Sequence, residues 1–120
     1  MPSLNGAVVL VTGANGGIGT QFVHEALARG AAKVYASART PRTWNDERIV
    51  PLALDVTDSA SIQAAVEAAP DVTVLINNAG AAVPSAGILT HTDEEIRRNV
   101  ETNFLGPLVV ARAFAPFLSA

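Results

Sequence analysis

A chain of 120 residues, 49% hydrophobic and only 16% charged, suits one packed domain, is too short for two, and is too apolar for a disordered tail. With no cysteine it carries no disulfide scaffold, thiolate metal site or cysteine nucleophile. A formal net charge of −3 argues against nucleic acid as a partner, no apolar run reaches membrane-spanning length, and Met1-Pro2-Ser3-Leu4 lacks the basic start of a signal peptide. The expectation is a single soluble, cytoplasmic domain.

Ala7-Val8-Val9-Leu10-Val11 is a continuous β-branched run, the pattern of a parallel strand buried on both faces. From Ile18 onward, Ile18, Phe22, Val23, Ala26 and Leu27 fall on one helical stripe, and Gly30 stands where a helix C-cap belongs. Lys33 to Ala38 predicts a second strand. Arg39 to Arg48, with Pro41, Asn45 and Asp46, reads as loop. Ile49 to Leu54 predicts a third strand, and Pro51 near its start favours a sheet edge. Asp58 can N-cap a helix over Ser59 to Ala69, closed by Pro70. Val72 to Ile76 predicts a fourth strand, followed by the Asn77-Asn78-Ala79-Gly80 turn. A loop to His91 then leads into a long helix from Asp93 toward Ala120. His91 has no partner residues that would make a metal site.

This alternation is the grammar of a doubly wound α/β sheet, and no internal repeat interrupts it. The connection between the second and third strands is about ten residues, short for a parallel crossover, so a turn is expected there rather than a full helix.

Thr12-Gly13-Ala14-Asn15-Gly16-Gly17-Ile18-Gly19 lies directly between the first strand and the first helix. In that context the glycines have a physical purpose: a tight turn, close approach of an anion to backbone amides, and close packing of helix on sheet at Gly19. The unsatisfied N–H groups and positive end of the helix then face a pyrophosphate. A glycine-rich turn that binds nothing is the plain structural alternative. About 20 positions later, a dinucleotide fold places an acid at the end of its second strand to bond the ribose 2′-OH. Here that stretch is Ala36-Ser37-Ala38-Arg39-Thr40, with no acid and a guanidinium beside the place. An arginine grips a 2′-phosphate that a carboxylate would repel, and its plane can stack on adenine, which favours NADP over NAD. A solvated loop arginine is the alternative.

Taken together, these residues resemble the classical short-chain dehydrogenase/reductase family. The resemblance rests on the TGxxxGxG element Thr12, Gly13, Gly17 and Gly19, on Asp55 in Leu54-Asp55-Val56-Thr57-Asp58, on Asn77-Asn78-Ala79-Gly80, and on Asn103 in Glu101-Thr102-Asn103-Phe104-Leu105-Gly106. Gly16 also permits the spacing of the extended type, but the NNAG element argues for the classical branch. The match covers essentially the whole chain and only the first half of the family's usual domain.

The resemblance implies a Rossmann-like parallel sheet of strand order 3-2-1-4 that binds NADP(H). The parent activity is hydride transfer between NADP(H) and an alcohol or carbonyl. Gly13, Asn15, Gly17, Ile18 and Gly19 would line the pyrophosphate side, with Arg39 at the 2′-phosphate. Asp55 would accept from the adenine amino group beside the Val56 backbone, and Asn78, Ala79 and Gly80 would line the adenosine ribose. Asn103 would be the family's helix asparagine, which holds a water in the proton relay. Structural roles stand beside these: Asp55 capping its own turn, Asn78 locking the fourth strand to neighbouring backbone, Asn103 bonding its own helix.

The family's chemistry also needs a serine and a Tyr-x-x-x-Lys pair beyond a fifth strand, in which the ammonium lowers the phenol pKa toward working pH. The sequence ends at Phe117-Leu118-Ser119-Ala120, and its only tyrosine and only lysine, Tyr35 and Lys33, sit two residues apart in the second strand. No Tyr-x-x-x-Lys pair exists here in any register, so these residues alone are expected to bind cofactor without normal dehydrogenase activity. Two alternatives remain: a non-catalytic oligomerising scaffold with a relic glycine loop, and a half-enzyme completed by another chain. From Leu105 to Ala120 the only charge is Arg112, apolar residues cover most of that helix, and Pro107 and Pro116 are expected to kink or end it. A homo-oligomer formed through the last helix or the fourth-strand edge is therefore expected.

Overall fold

The computed structural model describes residues 3–79 and 92–118. Within them the expected alternation is realised as β1 (Val8–Val11), α1 (Gly17–Ala28), β2 (Lys33–Ala38), β3 (Ile49–Ala53), α2 (Ser59–Ala68), β4 (Val74–Ile76), α3 (Asp93–Val100) and α4 (Gly106–Phe114). The four strands are parallel and ordered β3-β2-β1-β4, as anticipated.

Successive strand residues point to opposite faces; β1 and β2 are buried on both, whereas the edge strand β3 alternates buried Leu52 with exposed Pro51 and Ala53. On one face Leu10, Tyr35 and Leu52 pack with Ile62 and Ala65 of α2 and with Val110 and Phe114 of α4. On the other, Val9, Val11, Val34, Ala36 and Ile49 pack with Val23 and Ala26 of α1. The register that aligns them sets Leu10 opposite both Tyr35 and Leu75. Pro51 lies in β3, at the sheet edge, where its missing N–H costs no ladder bond. The 39–48 connection contains no helix.

The C-terminal helix departs from expectation. In place of one helix from Asp93 toward Ala120, α3 runs into a π-helical stretch at Glu101–Leu105, then α4, then a 3-10 turn at Ala115–Phe117. Pro107 has no N–H for the carbonyl four residues back and its ring crowds that carbonyl, so the turn before it widens. Gly106 fixes where this happens. A Cβ there would stand 2.8 Å from the Val56 carbonyl oxygen, so only glycine lets the helix seat on the β3–α2 loop. Val110 and Phe114 are fully buried, whereas Phe104 and Leu108 remain 61% and 55% exposed. The helix is thus covered on one side only.

Candidate functional site

All four strands end at one rim of the sheet, and the loops leaving them enclose a cavity of about 820 Å³. The glycine turn forms one wall. Gly13 has φ +65°, and a Cβ on it would lie 2.9 Å from the Ala79 Cα. A Cβ on Gly19 would lie 2.1 Å from the Gly13 carbonyl oxygen, so helix and turn meet backbone to backbone. Gly17 differs: nothing lies within 4 Å of its would-be Cβ, which leaves bare backbone facing open space.

The start of α1 is electrostatically open. Gly16 provides no side-chain cap and the first turn holds no acid. By contrast, Asp58 accepts from Ala60 and Ser61 N–H at the start of α2, and Thr92 with Glu95 closes α3 in a reciprocal capping box. Of α1, α2 and α3, only α1 leaves its first-turn N–H groups without a side-chain acceptor, and they point toward the cavity with the positive helix end behind them. That is an anion cradle.

A buried hydroxyl and two side-chain amides hold the rim loops together. The Thr12 hydroxyl accepts from the N–H groups of Asn78 at 2.8 Å and Ala79 at 2.9 Å. Asn78 Nδ2 donates to the Gly13 carbonyl at 3.3 Å, so its locking role is real even as the residue lines the cavity. Asn15 Nδ2 donates to the Thr40 carbonyl at 2.9 Å, tying the glycine turn to the loop that carries Arg39. Thr12 was not singled out as a site residue from sequence. A hydroxyl at the end of a buried β-branched strand was the available signal.

Of the residues expected to hold cofactor, Gly13, Asn15, Gly17, Ile18, Gly19, Arg39, Asp55, Val56, Asn78 and Ala79 all line this one cavity. Gly80 and His91 lie outside the described residues. The cavity also takes in Thr57, and Arg98 and Thr102 from the C-terminal helix, which the sequence reading did not assign. Asp55 accepts from the Thr57 hydroxyl at 2.6 Å and the Thr57 N–H at 2.9 Å. Those bonds, with the Arg39 charge nearby, hold its carboxyl below the usual range, so it is an acceptor at neutral pH. Asn103 is not on the cavity wall; its amide donates to Asn99 Oδ1 at 2.6 Å within its own helix.

Tyr35 and Lys33 belong to the other end of the sheet. Lys33 Nζ donates to Asp71 at 2.5 Å and to the Tyr35 hydroxyl at 3.0 Å, and that hydroxyl donates to Asp71 at 2.7 Å. Burial pushes the Tyr35 phenol up, the reverse of what a proton-relay tyrosine needs. The Asp71 bond likewise raises Lys33, and Lys33 holds Asp71 low. The trio clamps β2 to the turn before β4. Among the described residues no group of three His, Cys, Asp or Glu side chains is arranged to hold a metal, and no helix is long and apolar enough to cross a membrane.

The family model for short chain dehydrogenase matches residues 7–120. The chain belongs to the short-chain dehydrogenase family. It is 32% identical over 130 residues to an NADP-dependent 3-hydroxy acid dehydrogenase from Schizosaccharomyces pombe, covering 97% of this chain and 50% of that one. A short chain dehydrogenase from Burkholderia cenocepacia in complex with NADP superposes with a TM-score of 0.85 at 37% identity, over 97% of this chain and 49% of that one. A 3-ketoacyl-(acyl-carrier-protein) reductase from Brucella melitensis complexed with NADH gives 0.88 at 31% identity, over 96% and 51%. The chain therefore spans about half the length of these dehydrogenases.

Proposed function

We propose that these residues form the NADP(H)-binding half of a short-chain dehydrogenase whose parent reaction passes a hydride between NADP(H) and an alcohol or carbonyl. The observation that carries this reading is the uncapped start of α1 facing, across one cavity, an arginine at the end of β2 where an acid would serve NAD. Similar dehydrogenases are described with NADP and with NADH, so the choice between the two rests on Arg39. The family likeness and the backbone fit at Gly13, Gly17 and Gly19 support the cradle itself.

In this reading the α1 N–H groups take the pyrophosphate, and Asn15 steadies the turn. Arg39 takes the 2′-phosphate with a fork of donors. Asp55, an ionised acceptor, takes the adenine amino group beside Val56, while Asn78, Ala79 and Gly80 line the ribose. The dinucleotide, when bound, supplies the hydride. Proton transfer is another matter: the sole tyrosine is clamped at the far end of the sheet with its pKa raised, so these residues bind and orient rather than relay protons. Asn103 is assigned only the family's water-holding position.

Trp44, the only tryptophan, sits on the same loop as Arg39 and gives an optical readout. Titration with NADPH and NADH by energy transfer from Trp44 is expected to saturate with both and more tightly with NADPH. Saturation with neither overturns the binding assignment, and tighter NADH overturns the role of Arg39.

A second reading, self-association, is favoured by the uncovered ridge of Val100, Phe104, Leu105 and Leu108, between 40% and 61% exposed. The occupant proposed for it is a second copy of the chain. Light scattering at micromolar concentration should give more than one chain's mass; a monomer at that concentration contradicts it.

A further inference from the structure

Two guanidinium groups line the cavity, and only Arg39 has been given a ligand. The other, Arg98, comes from α3. Seating of Gly106 against the Val56 carbonyl brings this helix beside the β3–α2 loop, so Arg98 and Thr102, one turn apart, complete the wall that begins at Asp55, Val56 and Thr57. Among the described residues lining the cavity there is no aromatic side chain. A flat base with its edge at Asp55 therefore has no ring to stack on. Arg39 can cover one face of the base, and Arg98 is placed to cover the other. Among the described residues its ion-pair partner is Glu94 at 3.4 Å on its own helix, with side-chain exposures of 68% and 83%, a tether that solvent screens heavily. A guanidinium is planar, weakly hydrated and stacks on aromatic faces while keeping its edge donors.

We propose that Arg98 lays its guanidinium on the open face of the adenine ring and so is a base-stacking residue of the cofactor site, contributed by α3. The proposal rests on the dinucleotide reading above. It assigns Arg98 to the base rather than to any phosphate, so its effect is common to every adenine-bearing ligand.

The test compares binding of NADPH, NADH, 5′-AMP and reduced nicotinamide mononucleotide to the wild-type protein and to Arg98→Gln and Arg98→Lys. Arg98→Gln is expected to weaken NADPH, NADH and 5′-AMP alike, by about fivefold, and to leave the mononucleotide unchanged. Arg98→Lys, which keeps the charge and loses the plane, should stay weak. Unchanged binding in Arg98→Gln, a loss confined to NADPH, or full recovery in Arg98→Lys each overturns the assignment. Glu94→Gln, which releases the guanidinium from its own helix, should tighten the same three ligands; if Arg98→Gln fails to fold, unchanged affinity in Glu94→Gln overturns it instead. A wild-type protein that takes up none of the four defeats the dinucleotide reading and this assignment together, whereas wild-type binding with an unaltered Arg98→Gln profile defeats this assignment alone.

Discussion

Helices α1 and α2 start at the same rim of the same sheet, yet their first turns are finished differently. Asp58 closes α2 with its own carboxylate, at 3.0 Å from Ala60 N and 3.4 Å from Ser61 N. Nothing in the side chains of α1 does the same, and its N-cap is a glycine. A locally satisfied helix end needs no further partner; an unsatisfied one that faces a cavity favours an anion. The two ends of the sheet repeat the contrast. At the amino end Lys33, Tyr35 and Asp71 satisfy one another, while at the carboxyl end Arg39 and the α1 amides have space in front of them.

The contrast can be broken most severely at Gly19. Gly19→Ala drives a methyl into the Gly13 carbonyl and is expected to cost about 3 kcal/mol of stability, the upper range for overpacking, with loss of NADPH binding. Thermal melts and a titration would show both. Exchanging the two helix starts is the sharper test. Gly16 has φ −77° and only an ordinary contact at its Cβ position, so Gly16→Asp can cap α1 without strain. It should hold or raise stability, by a few tenths of a kcal/mol, while weakening NADPH at least about a hundredfold by placing a carboxylate where phosphate belongs. Asp58→Ala should do the reverse, costing about 1 kcal/mol and leaving affinity intact.

Arg39→Leu is expected to weaken NADPH by about 10- to 100-fold and NADH far less, which calorimetric titration with each cofactor would report. The smallest effect belongs to the amino-end clamp. The folded-state pKa of Asp71 lies below its unfolded value, so its contribution is complete above the ordinary carboxylate range and is lost as pH falls through the lower value. Lys33, raised, contributes until pH climbs past its folded value. Stability should therefore be flat between those limits. Lys33→Met should flatten the acid limb by no more than about 1 kcal/mol, given how exposed the pair is, and leave cofactor affinity unchanged.

Much of this was written in the sequence because burial on both faces leaves unbroken apolar runs. Val8–Val11 is such a run, and Lys33–Ala38 approaches one, broken only by Lys33 at its start and by Ser37, whose buried hydroxyl bonds the Val11 carbonyl. What could not be read depended on contacts distant in the chain. The π-helical stretch at Glu101–Leu105 joins a local cause, Pro107, to a distant one, Gly106 meeting Val56 some fifty residues away, and only the first is visible in the sequence. Arg98 and Thr102 lie on a polar helix surface that reads as solvated until the helix is placed beside Asp55. Tyr35 and Lys33 were visibly unable to form the family's pair, but their partner Asp71 lies 36 residues beyond Tyr35 and carries no motif.

The central claim is that the carboxyl-end cavity, and not another part of this chain, takes the dinucleotide. Amide chemical-shift mapping on addition of NADPH tests it directly. The account predicts saturable shifts at Gly13 to Gly19, Arg39, Asp55 to Thr57 and Asn78 to Ala79, with none at Lys33, Tyr35 or Asp71. Shifts confined to the amino end or to the Val100–Leu108 ridge, or no saturable shift at all, would contradict it.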